Sequence, residues 1–158
     1  MRYLFVDRIE EVVPGASARG WKNVAMSEDY LEWHFPGQPV VPGTLVLEAF
    51  AQLAGWLEAA SSGFTRWFLL DHVTSARYFG AALPGDRIDL VVTSVPTDDP
   101  ERRAYQAEST VGGERRALVE FDGRAVALAD LDAKEQVERA YARLRGGAPG
   151  RPARGGRP

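Results

Sequence analysis

The sequence predicts an α+β domain in which an antiparallel sheet curls around a single buried helix. Three observations carry this expectation. Thr44–Ala60 (TLVLEAFAQLAGWLEAA) is longer than a strand, rich in Ala and Leu, and apolar nearly all round. Elsewhere apolar and small residues alternate at period two: Ile88, Leu90 and Val92 share a face, as do Tyr105, Ala107 and Ser109, and Ala117, Val119 and Phe121. Gly112-Gly113, between the last two runs, is a hairpin signal.

The elements follow in order. A strand opens the chain, and the loop Asp29–Gly43 leads into the helix, which Pro42-Gly43 sets off. A strand around Trp67–Phe79 ends at the turn Pro84-Gly85-Asp86, and the next begins near Arg87. Between Asp130 and Arg145, Val137, Ala140, Tyr141 and Leu144 recur at helical spacing among charges, which predicts an amphipathic helix stopped by Gly146 and Gly147. From Ala148 onward there is only Gly, Pro, Arg and Ala, a composition without a core, so a disordered tail is expected. The predicted organisation is a domain over 1–129, a helix over 130–145 and a tail over 146–158, whose Arg151, Arg154 and Arg157 read as a solvated end.

Composition narrows the chemistry. The 158 residues hold no cysteine and two histidines, at a formal charge of −3. Disulfides, thiolate metal sites and iron–sulfur clusters are excluded, and a metal site would need His34 or His72. Mild acidity argues against nucleic acid as a partner. No run of eighteen apolar residues suggests a membrane span, and acids interrupt the apolar start, so a cytoplasmic protein is expected. Neither GxGxxG nor GxxxxGK[ST] occurs, which disfavours a nucleotide cofactor, and without Cys or GxSxG a covalent nucleophile lacks support.

The chemistry that remains sits at the start of the helix. The loop DYLEWHFPGQPVVPG has three prolines and two glycines around His34, a density that holds a loop in one shape. Glu48 follows within the helix, between Leu47 and Ala49, where ionisation is costly and burial favours the protonated acid. Gln52 lies one turn on, within reach of that carboxyl. The N–H groups near Gly43 form a site for a developing oxyanion at the positive end of the helix. Singly, a histidine beside Phe35 and a mid-helix glutamate are ordinary structural residues; together, base, acid and oxyanion site suit proton abstraction beside a carbonyl with loss of a leaving group. His72, in LLDHVTS, reads as structural, paired with Asp71.

HFPGQPVVPGTLVLEAFAQLAG resembles the active-site signature of the β-hydroxyacyl-[acyl-carrier-protein] dehydratases of the FabZ/FabA type. VDRIEEVVPG, WKNVAMSEDYLEWHFPG, ARYFGAALPGDRI and AYQAESTVGGERRALVEF extend the resemblance in unbroken order to about Leu128. It implies a hot-dog fold, with the sheet wrapped around the Thr44–Ala60 helix. It also implies a cofactor-free dehydration of 3-hydroxyacyl thioesters, within fatty-acid synthesis or a related polyketide or aryl-polyene route, by a homodimer or a trimer of dimers whose sites each draw on two subunits. By motif position His34 is the catalytic histidine and Glu48 the catalytic acid. Gly43 would hold the thioester carbonyl, Val40 would orient the histidine through its backbone carbonyl, and Gln52 would support the acid. Trp33 stands where the family commonly has glycine and would shape the substrate entrance. The resemblance also implies an apolar tunnel along the helix for the acyl chain, and an acidic acyl carrier protein calls for arginines near its mouth, for which Arg77 and Arg87 are the candidates and Arg102-Arg103 and Arg115-Arg116 weaker ones. The rival readings are a hot-dog thioesterase and a non-catalytic acyl-thioester-binding subunit.

Overall fold

The structure, a computed structural model, describes residues 4–146; the tail expected from Ala148 lies outside the described residues. Strands β1 (Arg8–Val13) and β2 (Ser17–Asn23) precede a single 3-10 turn at Asp29–Leu31 and helix α1 (Gly43–Ser61). Then come β3 (Arg66–Tyr78), β4 (Arg87–Val95), β5 (Arg102–Val111), β6 (Glu114–Ala127) and, after a 3-10 turn, α2 (Lys134–Leu144). The six strands form one sheet in the order β1-β2-β4-β5-β6-β3, with every neighbouring pair antiparallel. The α+β arrangement of a sheet around one helix is therefore as the periodicities predict.

The alternating residues of the sheet supply its inner face. Leu90, Val92, Ala107, Val119 and Phe121 are buried against Phe50, Leu53 and Leu57 of α1. Phe68 and Tyr105 meet edge to face with centroids 4.9 Å apart, and Phe121 completes the cluster. The hairpin at Gly112 and Gly113 has φ of 59° and 83°, the left-handed region that glycine enters without cost.

The helix departs from the all-round burial that its composition suggests. Leu53–Ala59 is buried, whereas Thr44 is exposed and Leu47, Glu48, Ala51 and Gln52 are partly so. The sheet covers one side of α1, and only the C-terminal half also meets α2, where Trp56 and Tyr141 stand 5.9 Å apart. At Gly55 the indole of Trp67 lies directly on the helix, and a Cβ there would fall 2.4 Å from the ring.

Glu58 is 5% exposed within this buried half. Arg103 Nε donates to its Oε2 at 3.1 Å, and Arg66 Nη2 stands 2.7 Å from Oε1 as an ionic contact without hydrogen-bond alignment. Two strands are thereby tied to the end of α1.

His72 pairs with Asp122, Nδ1 to Oδ2 at 2.9 Å, and not with Asp71 as the sequence suggests. The reason is register: His72 faces Asp122 across the β3–β6 ladder, while Asp71 is the unmatched residue of a bulge and turns to Arg102 and Arg124. Hydrogen bonds from Arg102 and then His72 hold the Asp122 carboxyl below its ordinary value. A depressed carboxylate stabilises the fold above its unfolded pKa and loses that contribution as pH falls through the folded one. Asp122→Asn should therefore lower stability near neutral pH by under about 1 kcal/mol, and the gap should close in strong acid. Urea titrations of both proteins at several pH values check this, and a pH-independent gap would refute it.

Val137 of α2 is buried, with Ala140, Tyr141 and Leu144 packed against the core, and Gly146 follows with φ of 84°. Among the described residues no helix is long and apolar enough to cross a membrane.

Candidate active site

The loop before α1 is pinned at both ends. At its start Lys22, 7% exposed, reaches Glu28 at 2.6 Å and Asp7 at 3.3 Å, and Asp7 also accepts from the N–H of Asn23. Burial, with Glu28 and Asp7 nearby, pushes the Tyr30 phenol up to about 12, so it stays neutral beside this cluster. At its end the Val41 N–H donates to Ala82 O at 2.9 Å, joining the loop to the segment after β3.

Between these anchors the backbone folds back on itself. Phe35 and Gln38 exchange two N–H···O bonds, and the Val40 N–H donates to His34 O at 2.8 Å. The His34 ring is half-buried, stacks on Phe35 at 4.2 Å, and meets Val40 O through Nδ1 at 3.0 Å. A carbonyl oxygen only accepts, so Nδ1 carries the proton and Nε2 keeps its lone pair. Trp33 and Phe35 are 76% and 57% exposed, leaving two aromatic rings at the surface beside the histidine.

Glu48 and Gln52, one turn apart on α1, are joined by a 2.8 Å bond from Gln52 Nε2 to Glu48 Oε1. Gln52 in turn accepts from the Phe5 N–H at 2.9 Å, which fixes its amide and hence the carboxyl. Among the described residues no hydrogen bond or ion pair joins His34 to Glu48.

Pro42 caps α1 without a side-chain hydrogen bond, and its carbonyl takes the N–H groups of Leu45 and Val46. The N–H groups of Gly43 and Thr44 have no partner among the described residues. A cleft of about 630 Å³ opens there, with Val41, Gly43, Tyr78, Ser109 and Arg116 in its lining; His34 and Glu48 are not part of that lining. A Cβ at position 43 would stand 2.9 Å from the Tyr78 ring, so a larger residue there would push that ring aside and reshape the wall. Burial raises the Tyr78 phenol.

The arginines divide. Arg77 is exposed on β3. Arg87 is committed to Glu10 and Asp89 at 2.9 and 2.7 Å and lies over the Trp21 ring. Arg102 is bound to Asp71 and Asp122, Arg103 to Glu58 and Arg115 to Glu108, whereas Arg116 lines the cleft. The sequence places Ser109 only on a strand face and gives no sign of a role for Tyr78 or the Lys22 cluster. Tyr78 lies inside the ARYFGAALPGDRI segment that carries part of the resemblance, but only the fold shows its ring over Gly43.

A family described as the FabA-like domain matches residues 1–127. The 3-hydroxyacyl-[acyl-carrier-protein] dehydratase FabZ of Nitratidesulfovibrio vulgaris (strain DSM 19637 / Miyazaki F) is 43% identical over 91 residues, which is 56% of this chain and 59% of that protein. The chain thus matches about three fifths of that relative's length. The FabZ of Myxococcus xanthus is 37% identical over 138 residues, 85% of this chain and 89% of the relative. Among solved structures, a hot-dog-like protein from Thermanaerovibrio acidaminovorans matches with a TM-score of 0.60 at 15% identity, covering 82% of this chain and 93% of that one. The dehydratase heterocomplex ApeI:P from Xenorhabdus doucetiae matches with 0.59 at 14% identity, covering 78% and 99%. The fold is the hot-dog fold.

Proposed function

This chain belongs to the FabA-like family, and on that premise we propose that it converts (3R)-3-hydroxyacyl thioesters on acyl carrier protein into trans-2-enoyl thioesters and water. The observation that carries the reading is the bond from His34 Nδ1 to Val40 O, which leaves Nε2 free to act as a base. The thioester carbonyl is held at the free N–H groups of Gly43 and Thr44, where the positive end of α1 stabilises the enolate-like charge. His34 Nε2 takes the α-proton. The C3–O bond breaks as Glu48, steadied by Gln52, gives its proton to the departing hydroxyl, which leaves as water. Proton return from His34 to Glu48 resets the pair.

His34 and Glu48 lack a shared contact in one chain, which supports a site built from two subunits. Among the described residues the sheet ends at β3, whose outer edge has no partner strand and exposes Leu69 and Val73. A homodimer through that edge covers both residues and can bring one chain's histidine to its partner's acid. The carrier protein docks by Arg77, so Arg77→Glu should raise KM for carrier-bound substrate several-fold more than for a pantetheine thioester; equal changes would refute docking there.

Single-turnover assay with 3-hydroxybutyryl thioester tests the reaction. Enoyl product supports dehydration, whereas free acid would mean a thioesterase and no product a binding subunit. Co-expressed His34→Ala and Glu48→Gln chains test the shared site. Half of random dimers are hybrids with one intact site, so about a quarter of wild-type sites should return. No recovery in purified hybrids would place both residues in one subunit.

A further inference from the structure

Resting on the dehydratase reading, a second feature of the cleft bears on which acyl chains it accepts. Across the β5–β6 ladder Ser109 pairs with Ala117 and Thr110 with Arg115, so Arg116 is the unmatched residue of a β-bulge. In a regular strand Arg116 and Ala117 would face opposite sides of the sheet. A bulge re-aims a side chain, and here both residues line the one cleft. Gly80 leaves the room for this, since a Cβ there would stand 2.9 Å from Arg116 Nη1.

Arg116 Nη2 reaches Glu114 at 3.1 Å, but Nε is buried without a hydrogen-bond partner. Ser109, on the neighbouring strand in the same wall, is 0% exposed and its Oγ is also unpartnered. Among the described residues three buried side-chain polar atoms lack a hydrogen bond, and the third, Glu58 Oε1, has the ionic contact of Arg66. The two that remain belong to residues of one cleft wall, each atom itself lying just behind the surface of that wall. Leaving such a group unpaired costs ~1–3 kcal/mol, and a ligand oxygen would remove that cost. A guanidinium N–H only donates and a serine hydroxyl can donate, so the matching group is an acceptor. The cleft begins at Gly43 and Thr44, where the thioester is held, and Val41, Val46 and Ile88 supply apolar wall for methylenes.

We propose that the cleft selects 3-hydroxyacyl thioesters whose chain carries a further accepting oxygen beyond C3, a ketone or carboxylate, received by Arg116 Nε and Ser109 Oγ as the Arg116 side chain, 26% exposed, turns to admit it. The test compares kcat/KM for the pantetheine thioesters of 3-hydroxyhexanoate, 3-hydroxy-5-oxohexanoate and 3-hydroxyadipate. At least one oxygenated substrate should exceed the plain chain by about tenfold, the worth of one hydrogen bond to a charged group. The oxo compound leading assigns a ketone, and the adipate leading assigns a carboxylate. Arg116→Met and Ser109→Ala should each remove most of that preference. Equal values for all three in the wild-type protein, or equal losses for all three in the variants, would overturn the proposal. If the variants do not fold, the wild-type ranking decides alone. Calorimetric Kd values for the hexanoyl, 5-oxohexanoyl and adipoyl pantetheine amides read the same ranking without turnover. A retained ranking with no turnover rejects the dehydratase reading alone, and equal Kd values reject the selectivity alone.

Discussion

Glu48→Gln should lower dehydration roughly 10²–10⁴-fold in a protein that melts like the wild type, the usual worth of one acid–base group. The amide keeps the volume and the oxygen that accepts from Gln52 Nε2, so only the donated proton is lost. His34→Ala should fall by a similar factor through loss of the Nε2 base, with Val40 O left without its imidazole donor. Stopped-flow appearance of the enoyl thioester, alongside a thermal melt, separates loss of chemistry from loss of fold. Turnover within tenfold of wild type in Glu48→Gln would remove that residue from the reaction.

Arg66→Met combined with Arg103→Met should cost ~3–5 kcal/mol of stability, because it strips both cations from a carboxylate that is 5% exposed. Adding Glu58→Met in that background should recover most of the loss, since an apolar triad buries no uncompensated charge. Urea midpoints of the double and triple variants give the comparison. A double variant within about 1 kcal/mol of wild type would show that Glu58 does not depend on its arginines.

What the sequence made legible is the part written in local pattern. The helix expected over Thr44–Ala60 runs Gly43–Ser61, and the Gly112-Gly113 and Pro84-Gly85-Asp86 signals fall where β5 turns into β6 and β3 gives way to β4. Within the loop of prolines, Val40 meets both the backbone carbonyl and the ring of His34. The Glu58–Arg103 bond joins residues far apart in the chain, and nothing in WLEAASS tells a buried carboxylate from a solvated one. The bulges at Asp71 and Arg116 are a matter of register between strands, and the one at Arg116 brings into the cleft a charged residue that alternation alone would place on the other face. The same limit explains His72, whose partner lies across the sheet rather than next to it in the chain.

The contact between Gly55 and Trp67 restricts the order in which this sequence can drift. Any side chain at position 55 would overlap an indole whose atoms lie 2.4 Å from where its Cβ must go. Trp67 is itself held by Trp56 at 4.9 Å. A lineage can therefore enlarge position 55 only after position 67 has shrunk, and shrinking it first opens a void that weakens the fold until the second change fills it. Homologues should accordingly pair glycine at 55 with a large ring at 67, or a larger residue at 55 with a smaller one at 67, with the mixed combinations rare.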